Sequence, residues 1–379
     1  MIVEIVGVWE HNKGAMLMLE AIKQRLEREL PTASLAVPAS MSRSIRERHG
    51  LLGVVPPGWS RHRLKKIMRL DSGLIEESEV DVLLDASGFG YGDYWGETKL
   101  RERLADRLRR WKSESRSAIV LPQALGPFSS DSLRSDFRDV LRLGDLIFPR
   151  DRVSYDHVRD LFPEARENVR RAPDFTNSLS LQPSDKVLRW KDHFLVIPNE
   201  KIVKGHDPEL RQTYLQFLRD CIQTGQKLEL PTVILLHEGA NDRTIAADLN
   251  DGLARPVEIV EFDDALDTKA VISQAYAIAS SRFHGLVSAL SAGVPALSCG
   301  WSHKYRELMN DYGVAEFDVS LNDPVHAVAK LEQLLIQAKD PAFRLQIAAS
   351  ASEEKRKTEV MWGQVLEVLE RTALKVANE

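Results

Sequence analysis

Short apolar runs alternate with longer amphipathic stretches along the whole chain, separated by turns rich in glycine, proline and small polar residues. In the first half, runs at 2–6, 34–37, 80–86, 118–121, 146–148 and 169–172 predict strands. Helical patterns lie between them. In 15–29, for example, Ala15, Met18, Leu19, Ile22 and Leu26 share one face. In the second half, strands are predicted at 194–198, 233–236, 257–261, 276–279, 296–298 and 316–318. Strands alternating with helices imply parallel sheets covered on both faces, so each half predicts a doubly wound α/β domain. A polar stretch at 180–192, with Pro183 inside it, interrupts both periodicities and sets the expected domains at 1–182 and 183–379. The last segment, 341–374, reads as two helices.

Length agrees with two domains, since 379 residues exceed one ordinary core. Hydrophobic residues make up 43% and charged residues 28%, a globular composition without a run of membrane-spanning length. The first apolar run is broken by Glu4 and has no basic flank, so it reads as a strand and not a signal peptide. Cys221 and Cys299 are too few for a disulfide framework or a zinc site, and no metal-ligand spacing occurs, so no metal is expected. These features predict a cytoplasmic protein. A net charge of −5 excludes a generic nucleic-acid binder. Two basic stretches stand apart. That at 100–116 carries seven Lys or Arg among carboxylates and reads as a solvated helix face. That at 59–69 interleaves Arg61, Arg63, Lys65, Lys66 and Arg69 with Trp59, Ile67 and Met68, and predicts a peripheral contact with an anionic membrane surface or a lipid diphosphate.

The most informative stretch is 279–314. Arg282, Phe283 and His284 stand where a predicted strand hands over to a helix, Gly293 and Pro295 close that helix, and Lys304 and Tyr305 follow. In open α/β sheets, strand carboxyl ends and helix N-termini converge at such handovers, and ligands bind there. If the chain stays extended, residues 282 and 284 point to one side. In the first half, Glu10, His11, Asn12 and Gly14 form a polar turn that opens a helix. Ser87, Gly88, Gly90 and Gly92 form a glycine turn that would let backbone amides approach a ligand closely, a spacing that packing does not readily explain.

The pattern R-x-H, then G-x-P, then K-Y resembles the signature of the polysaccharide pyruvyl transferase family. Further elements follow in the family's order: the turn after strand one, the glycine turn at 87–93, and Gln123 to Phe128 as Q-x-x-G-P-F. Then come Arg150, Asp151 and Ser154, Pro173 with Asp174, and His237 with Asp242. Two elements depart from it: Ala15 stands where the family often has an acid, and Ser87 with Gly88 replaces a glycine pair. The resemblance implies two Rossmann-like domains facing each other across a cleft, an architecture similar to the GT-B glycosyltransferases. By fold-level analogy a final helix returns to the first domain. It also implies transfer of the enolpyruvyl group of phosphoenolpyruvate, as a ketal, to a sugar or lipid-linked saccharide of an exopolysaccharide or cell-surface glycan precursor.

That chemistry needs cationic donors for a phosphate and a carboxylate, and one acid near neutral pH. His284 is the expected catalytic acid. A helix N-terminus opposes its charge while a bound dianion favours it; its alternative is to orient Arg282 or bond a carbonyl. Arg282 and Lys304 are expected at the phosphate, with the amides of His284 and Gly285 completing the cradle. Arg150 is expected to hold the carboxylate from the opposite wall, its alternative being a salt bridge with Asp151 or Asp174. Asn12, Gly14, Ser87 and Gly88 are expected to contact substrate, and Glu10 and His11 the acceptor sugar. Glu238 and Asp242 are the carboxylates available as the acceptor's base. No cofactor is required beyond the donor substrate. A GT-B nucleotide-sugar glycosyltransferase would use the same basic residues, with Glu307 at the ribose, and a non-catalytic subunit of a polysaccharide assembly is the third reading.

Overall fold

The structure, a computed structural model, describes residues 1–57, 73–111, 116–161, 167–182, 184–203 and 208–377. The basic stretch at 59–69, on which the expected membrane contact rests, lies outside the described residues, as does Pro183.

Two parallel sheets organise the rest. The first contains β1 (Ile2–Val6), β2 (Ser34–Pro38), β3 (Leu52–Val55), β4 (Leu74–Glu76), β5 (Val82–Asp85), β6 (Phe89–Tyr91), β7 (Ser117–Leu125) and β8 (Leu146–Pro149). Its order is β4-β3-β2-β1-β5-β7, with β6 and β8 both paired to β7. The second contains β9 (Phe194–Ile197), β10 (Thr232–Leu236), β11 (Glu258–Glu261), β12 (Ala277–Ser280) and β13 (Ala296–Ser298), in the order β11-β10-β9-β12-β13. All of these pairings are parallel. Every residue of β5, β7, β8, β9 and β12 is buried, because helices cover both faces of a parallel sheet. The winding direction reverses between β1 and β5 in one sheet and between β9 and β12 in the other. Each reversal opens a crevice at the strand carboxyl ends.

The chain divides into two compact units, Met1–Phe175 with Lys357–Glu379, and Thr176–Arg356. This division precedes the expected 182/183 boundary and returns the C-terminal stretch to the first unit. Residues 341–374, expected as two helices, form one continuous 37-residue helix, Pro341–Ala377, preceded by the separate helix Pro324–Gln337. Trp362, 1% exposed, ties the long helix to the first unit by packing edge-on against Phe175 at 5.8 Å. Thr372 shares a buried 2.7 Å hydrogen bond with Ser117 of β7.

Several strands differ from expectation. β3 and β4 lie outside the predicted strands, and β6 lies inside the predicted glycine turn. Residues 169–172 form no strand and contribute one bridge, Val169 to Ile147. Residues 316–318 fall largely in a 3₁₀ turn, with one bridge from Asp318 to Ser298. Of the segment Gln123 to Phe128, residues 123–125 close β7 and residues 126–128 follow it outside any strand or helix. Among the described residues, no helix is long and apolar enough to cross a membrane.

Candidate functional site

In the second unit, the reversal between β9 and β12 brings Asn199 and the turn 281–284 together. Helix Phe283–Leu290 starts directly after Arg282, whose backbone is extended (φ −105°, ψ 120°). The onset of helix at Phe283 breaks the alternation that would have aimed 282 and 284 to one side. The turn is braced from three directions: Asn199 Nδ2 donates to the Ser281 carbonyl at 2.7 Å, Tyr305 Oη donates to the same oxygen at 3.0 Å, and Tyr214 Oη donates to Ser281 Oγ at 3.0 Å. Ser280 Oγ accepts from the Arg282 amide at 3.0 Å.

Arg282 does not present its guanidinium as a ready phosphate clamp. The residue is 5% exposed, and Nη2 donates to both oxygens of the wholly buried Asp242 at 2.6 Å. Nη1 donates to Glu238, and Nε to the Pro198 carbonyl at 3.3 Å. Burial opposes the Arg282 charge, but the two carboxylates more than reverse that and hold the group firmly cationic. Burial pushes the Asp242 carboxyl up, while Arg282 and the amides of Glu200 and Glu238 pull against that push. Glu238 and Asp242, expected to be available as a base, are thus committed to Arg282.

His284 and Lys304 are placed differently. Both are partly exposed, and they stand past the carboxyl ends of the adjacent strands β12 and β13. The His284 ring packs edge-on to Phe283, with centroids 5.6 Å apart. Lys304 Nζ sits 5.5 Å from the centroid of that same Phe283 ring and 5.3 Å from Trp301. One buried aromatic ring therefore carries a histidine and an ammonium on its borders. Gly285 is buried in the first turn, where a Cβ would lie 2.9 Å from Ser280 Oγ. Gly300 permits the approach of the helix His303–Asp311, because a Cβ there would lie 2.0 Å from Tyr305 Cγ.

In the first unit, Gly7 leaves β1 at φ +86°, and a Cβ there would lie 2.5 Å from Ser87 Oγ. Ser87 donates to Asp85 Oδ1 through its amide at 3.0 Å and its hydroxyl at 2.6 Å, while Arg103 Nη1 donates to Ser87 Oγ at 3.0 Å. Arg103 lies in a π-helical turn, Arg101–Ala105, a rare geometry common at functional sites. Packing accounts for the glycine turn, contrary to expectation. A Cβ on Gly90 would meet Ser87 Cβ at 2.6 Å, and one on Gly92 would meet the Gly126 carbonyl at 2.6 Å. Gly88, at φ +66°, uses its carbonyl to accept from Ala124 at 3.0 Å. Asn12 caps the helix Lys13–Glu29, accepting from the Ala15 amide at 2.8 Å, and Gly14 is buried in its first turn. Arg150 forms the ion pair weighed as its alternative, donating to Asp174 at 2.9 Å with both side chains buried.

Beside β1, β2 and β3 lies a cavity of about 550 Å³, lined by Trp9, Glu10, His11, Ser40, Arg103 and Arg107 among others. Glu10 accepts from the Ser42 amide at 2.9 Å, and the hydrogen bond to Ser42 lowers its carboxyl. Residues that the sequence left unassigned include Asn199, Tyr214 and Ser281, which hold the second-unit turn. The position of Asn199 directly after an apolar strand was the available signal. Gln123, wholly buried near the end of β7, has no protein partner for either side-chain polar atom among the described residues.

The family model for polysaccharide pyruvyl transferase matches residues 12–303. No curated protein matches the sequence. Among solved structures, a UDP-GlcNAc 2-epimerase from Neisseria meningitidis bound to UDP-GlcNAc is similar, with 12% identity, 97% of this chain and 100% of that chain covered, and a TM-score of 0.58. HepE of Anabaena, in complex with UDP and glucose, has 13% identity, 97% and 99% coverage, and a TM-score of 0.58. MnaA of S. aureus, solved with UDP, has 12% identity, 97% and 96% coverage, and a TM-score of 0.57. At such identities these likenesses establish a GT-B-like fold of two Rossmann-like domains and nothing further.

Proposed function

The chain belongs to the polysaccharide pyruvyl transferase family, and from that premise we propose that it transfers the enolpyruvyl group of phosphoenolpyruvate to a saccharide as a ketal. The acceptor is a sugar of an exopolysaccharide or cell-surface glycan precursor. The observation that carries this reading is the placement of His284 and Lys304 around Phe283 at adjacent strand ends, supplying an acid and a cation where a small dianion can be met by helix N-termini.

His284 protonates the methylene carbon of phosphoenolpyruvate, leaving positive character on the adjacent carbon. One acceptor hydroxyl attacks that carbon and passes its proton to the imidazole that the first step left neutral. The carbon–oxygen bond to phosphate then breaks, phosphate leaves with the electron pair, and a second hydroxyl closes the ketal as its proton passes to the departing phosphate. Lys304 neutralises the departing phosphate together with the amides at 284 and 285. Arg282 acts as a positioning residue: its ion pair with Asp242 sets the turn from which His284 projects. We place the enzyme in the cytoplasm, where its donor is made.

A second reading, nucleotide-sugar transfer, is favoured by one observation: HepE of Anabaena has the same fold and holds UDP and glucose. A thermal-shift panel of phosphoenolpyruvate against UDP- and GDP-sugars separates the two. Stabilisation by phosphoenolpyruvate that weakens in Lys304→Ala supports pyruvyl transfer. Stabilisation by a nucleotide sugar alone refutes it.

A further inference from the structure

We infer that the aromatic loop following β6 is a binding platform for a saccharide chain, with Tyr94 as the ring on which one sugar residue stacks. The inference rests on the reading that the acceptor is a saccharide and adds where, and in what form, it is held.

Tyr94 is 63% exposed, yet its ring is held in place. It stacks on Phe89 with centroids 6.1 Å apart and planes 23° from parallel, and meets Trp95 edge-on at 4.9 Å. Lys99 Nζ lies 3.4 Å from the Trp95 ring centroid, backing the assembly. The backbone is equally constrained. Gly92 at φ +143° and Gly96 at φ +72° bracket the loop, and the Asp93 amide donates to the Pro127 carbonyl at 2.9 Å. An exposed aromatic ring normally loses side-chain freedom when a ligand lands on it; here the neighbouring rings have already removed that freedom, which favours binding.

The surroundings identify the occupant. A sugar ring offers an apolar C–H face and a girdle of hydroxyls, so it suits an aromatic surface flanked by carboxylates and hydroxyls. Asp93 holds the Ser129 amide at 2.8 Å, and Glu97 accepts from Ser130 Oγ at 2.6 Å, both within this loop's immediate rim. An anionic membrane finds no net positive charge here, since Asp93 and Glu97 offset Lys99 and Arg101. A second copy of the chain would need roughly 800 Å² per partner, far more than one exposed ring offers. With one sugar residue on Tyr94, the next residues of a chain lie over the Asp93–Ser129 and Glu97–Ser130 pairs, so a chain gains polar contacts that a free monosaccharide lacks.

The test is binding of mannose, galactose and their linear tetrasaccharides to the full chain, read by NMR line broadening and intrinsic fluorescence. The expected result is tetrasaccharide affinity about tenfold above that of the monosaccharide, a preference lost in Tyr94→Ala and retained in Tyr94→Phe. An unchanged far-UV circular dichroism spectrum and a cooperative melting transition in Tyr94→Ala show that the variant is folded. Failure of every sugar to bind, equal affinity for mono- and tetrasaccharide, or wild-type binding by Tyr94→Ala overturns the platform. So does a dimer in the wild type that Tyr94→Ala dissociates. If saccharide binding behaves as expected while phosphoenolpyruvate does not bind, the platform stands and pyruvyl transfer falls.

Discussion

Arg282→Met separates the two roles that an arginine at a strand-to-helix handover can have. Asp242 is wholly buried, and its charge is answered chiefly by the Arg282 guanidinium at 2.6 Å. Removing that cation leaves the upward push of burial on the Asp242 carboxyl without its main opponent. The folded-state pKa then lies well above the unfolded value of about 3.9, so the folded state prefers the neutral acid. A raised carboxyl of this kind costs nothing below the unfolded value. Above it, the penalty grows by about 1.4 kcal/mol per pH unit until the folded carboxyl itself ionises. At pH 7 the ceiling is about 4 kcal/mol, within the range found when one partner of a buried pair is removed, and at pH 5 it is about 1.5 kcal/mol. Urea denaturation of the full chain, followed by far-UV circular dichroism between pH 5 and pH 8, measures the difference. The double variant Arg282→Met/Asp242→Asn is expected to recover part of the loss, because no buried charge remains at 242, while the single Asn oxygen keeps only one of the two amide donors, Glu200 and Glu238, that the two Asp242 oxygens accept. If Arg282→Met matches the wild-type midpoint at every pH yet abolishes phosphoenolpyruvate binding, the guanidinium serves the ligand, and its assignment as a positioning residue is wrong.

Three further outcomes follow from the same geometry. His284→Gln is expected to bind phosphoenolpyruvate nearly normally while turnover falls about 10²–10⁴-fold, the usual cost of losing a placed acid; near wild-type turnover in single-turnover assays would move the acid elsewhere. Gly300→Ala drives a methyl into Tyr305, displacing its hydroxyl from the Ser281 carbonyl, and should cost about 1–3 kcal/mol with weakened donor binding; unaltered melting would contradict the close approach. Trp362→Ala removes the buried ring that docks the long C-terminal helix on the first unit and should cost about 3–5 kcal/mol in denaturant titration; a loss under 1 kcal/mol would mean that the helix is held by other contacts.

The second sheet was readable almost strand by strand, because β9, β10, β12 and β13 are short, apolar and buried on both faces. β6 was not, since Phe89-Gly90-Tyr91 looks like a flexible turn until Ser87 is seen pressed against Gly90, and Gly126 against Gly92 just beyond. The handover at 282–284 was legible from position alone. What Arg282 does there was not, because its partners Glu238 and Asp242 come from a different strand-to-helix connection, and only the fold brings them together. Arg150 carried two readings in the sequence, a ligand-facing cation or a salt bridge with Asp151 or Asp174, and the fold supplies the pairing with Asp174, 24 residues away. The return of 357–379 to the first unit left no local pattern, since a helix carries no mark of which core its buried face will meet.

The most direct measurement is the isotope content of the transferred group. The full chain is incubated in D₂O with phosphoenolpyruvate, UDP- and GDP-sugars and mannose- or galactose-terminated saccharides, and the product is read by mass spectrometry and proton NMR. Pyruvyl transfer predicts release of inorganic phosphate together with a ketal methyl group carrying one deuterium, at a rate that collapses in His284→Gln. Intact phosphoenolpyruvate, with a hexose transferred from a UDP- or GDP-sugar in its place, would contradict the account.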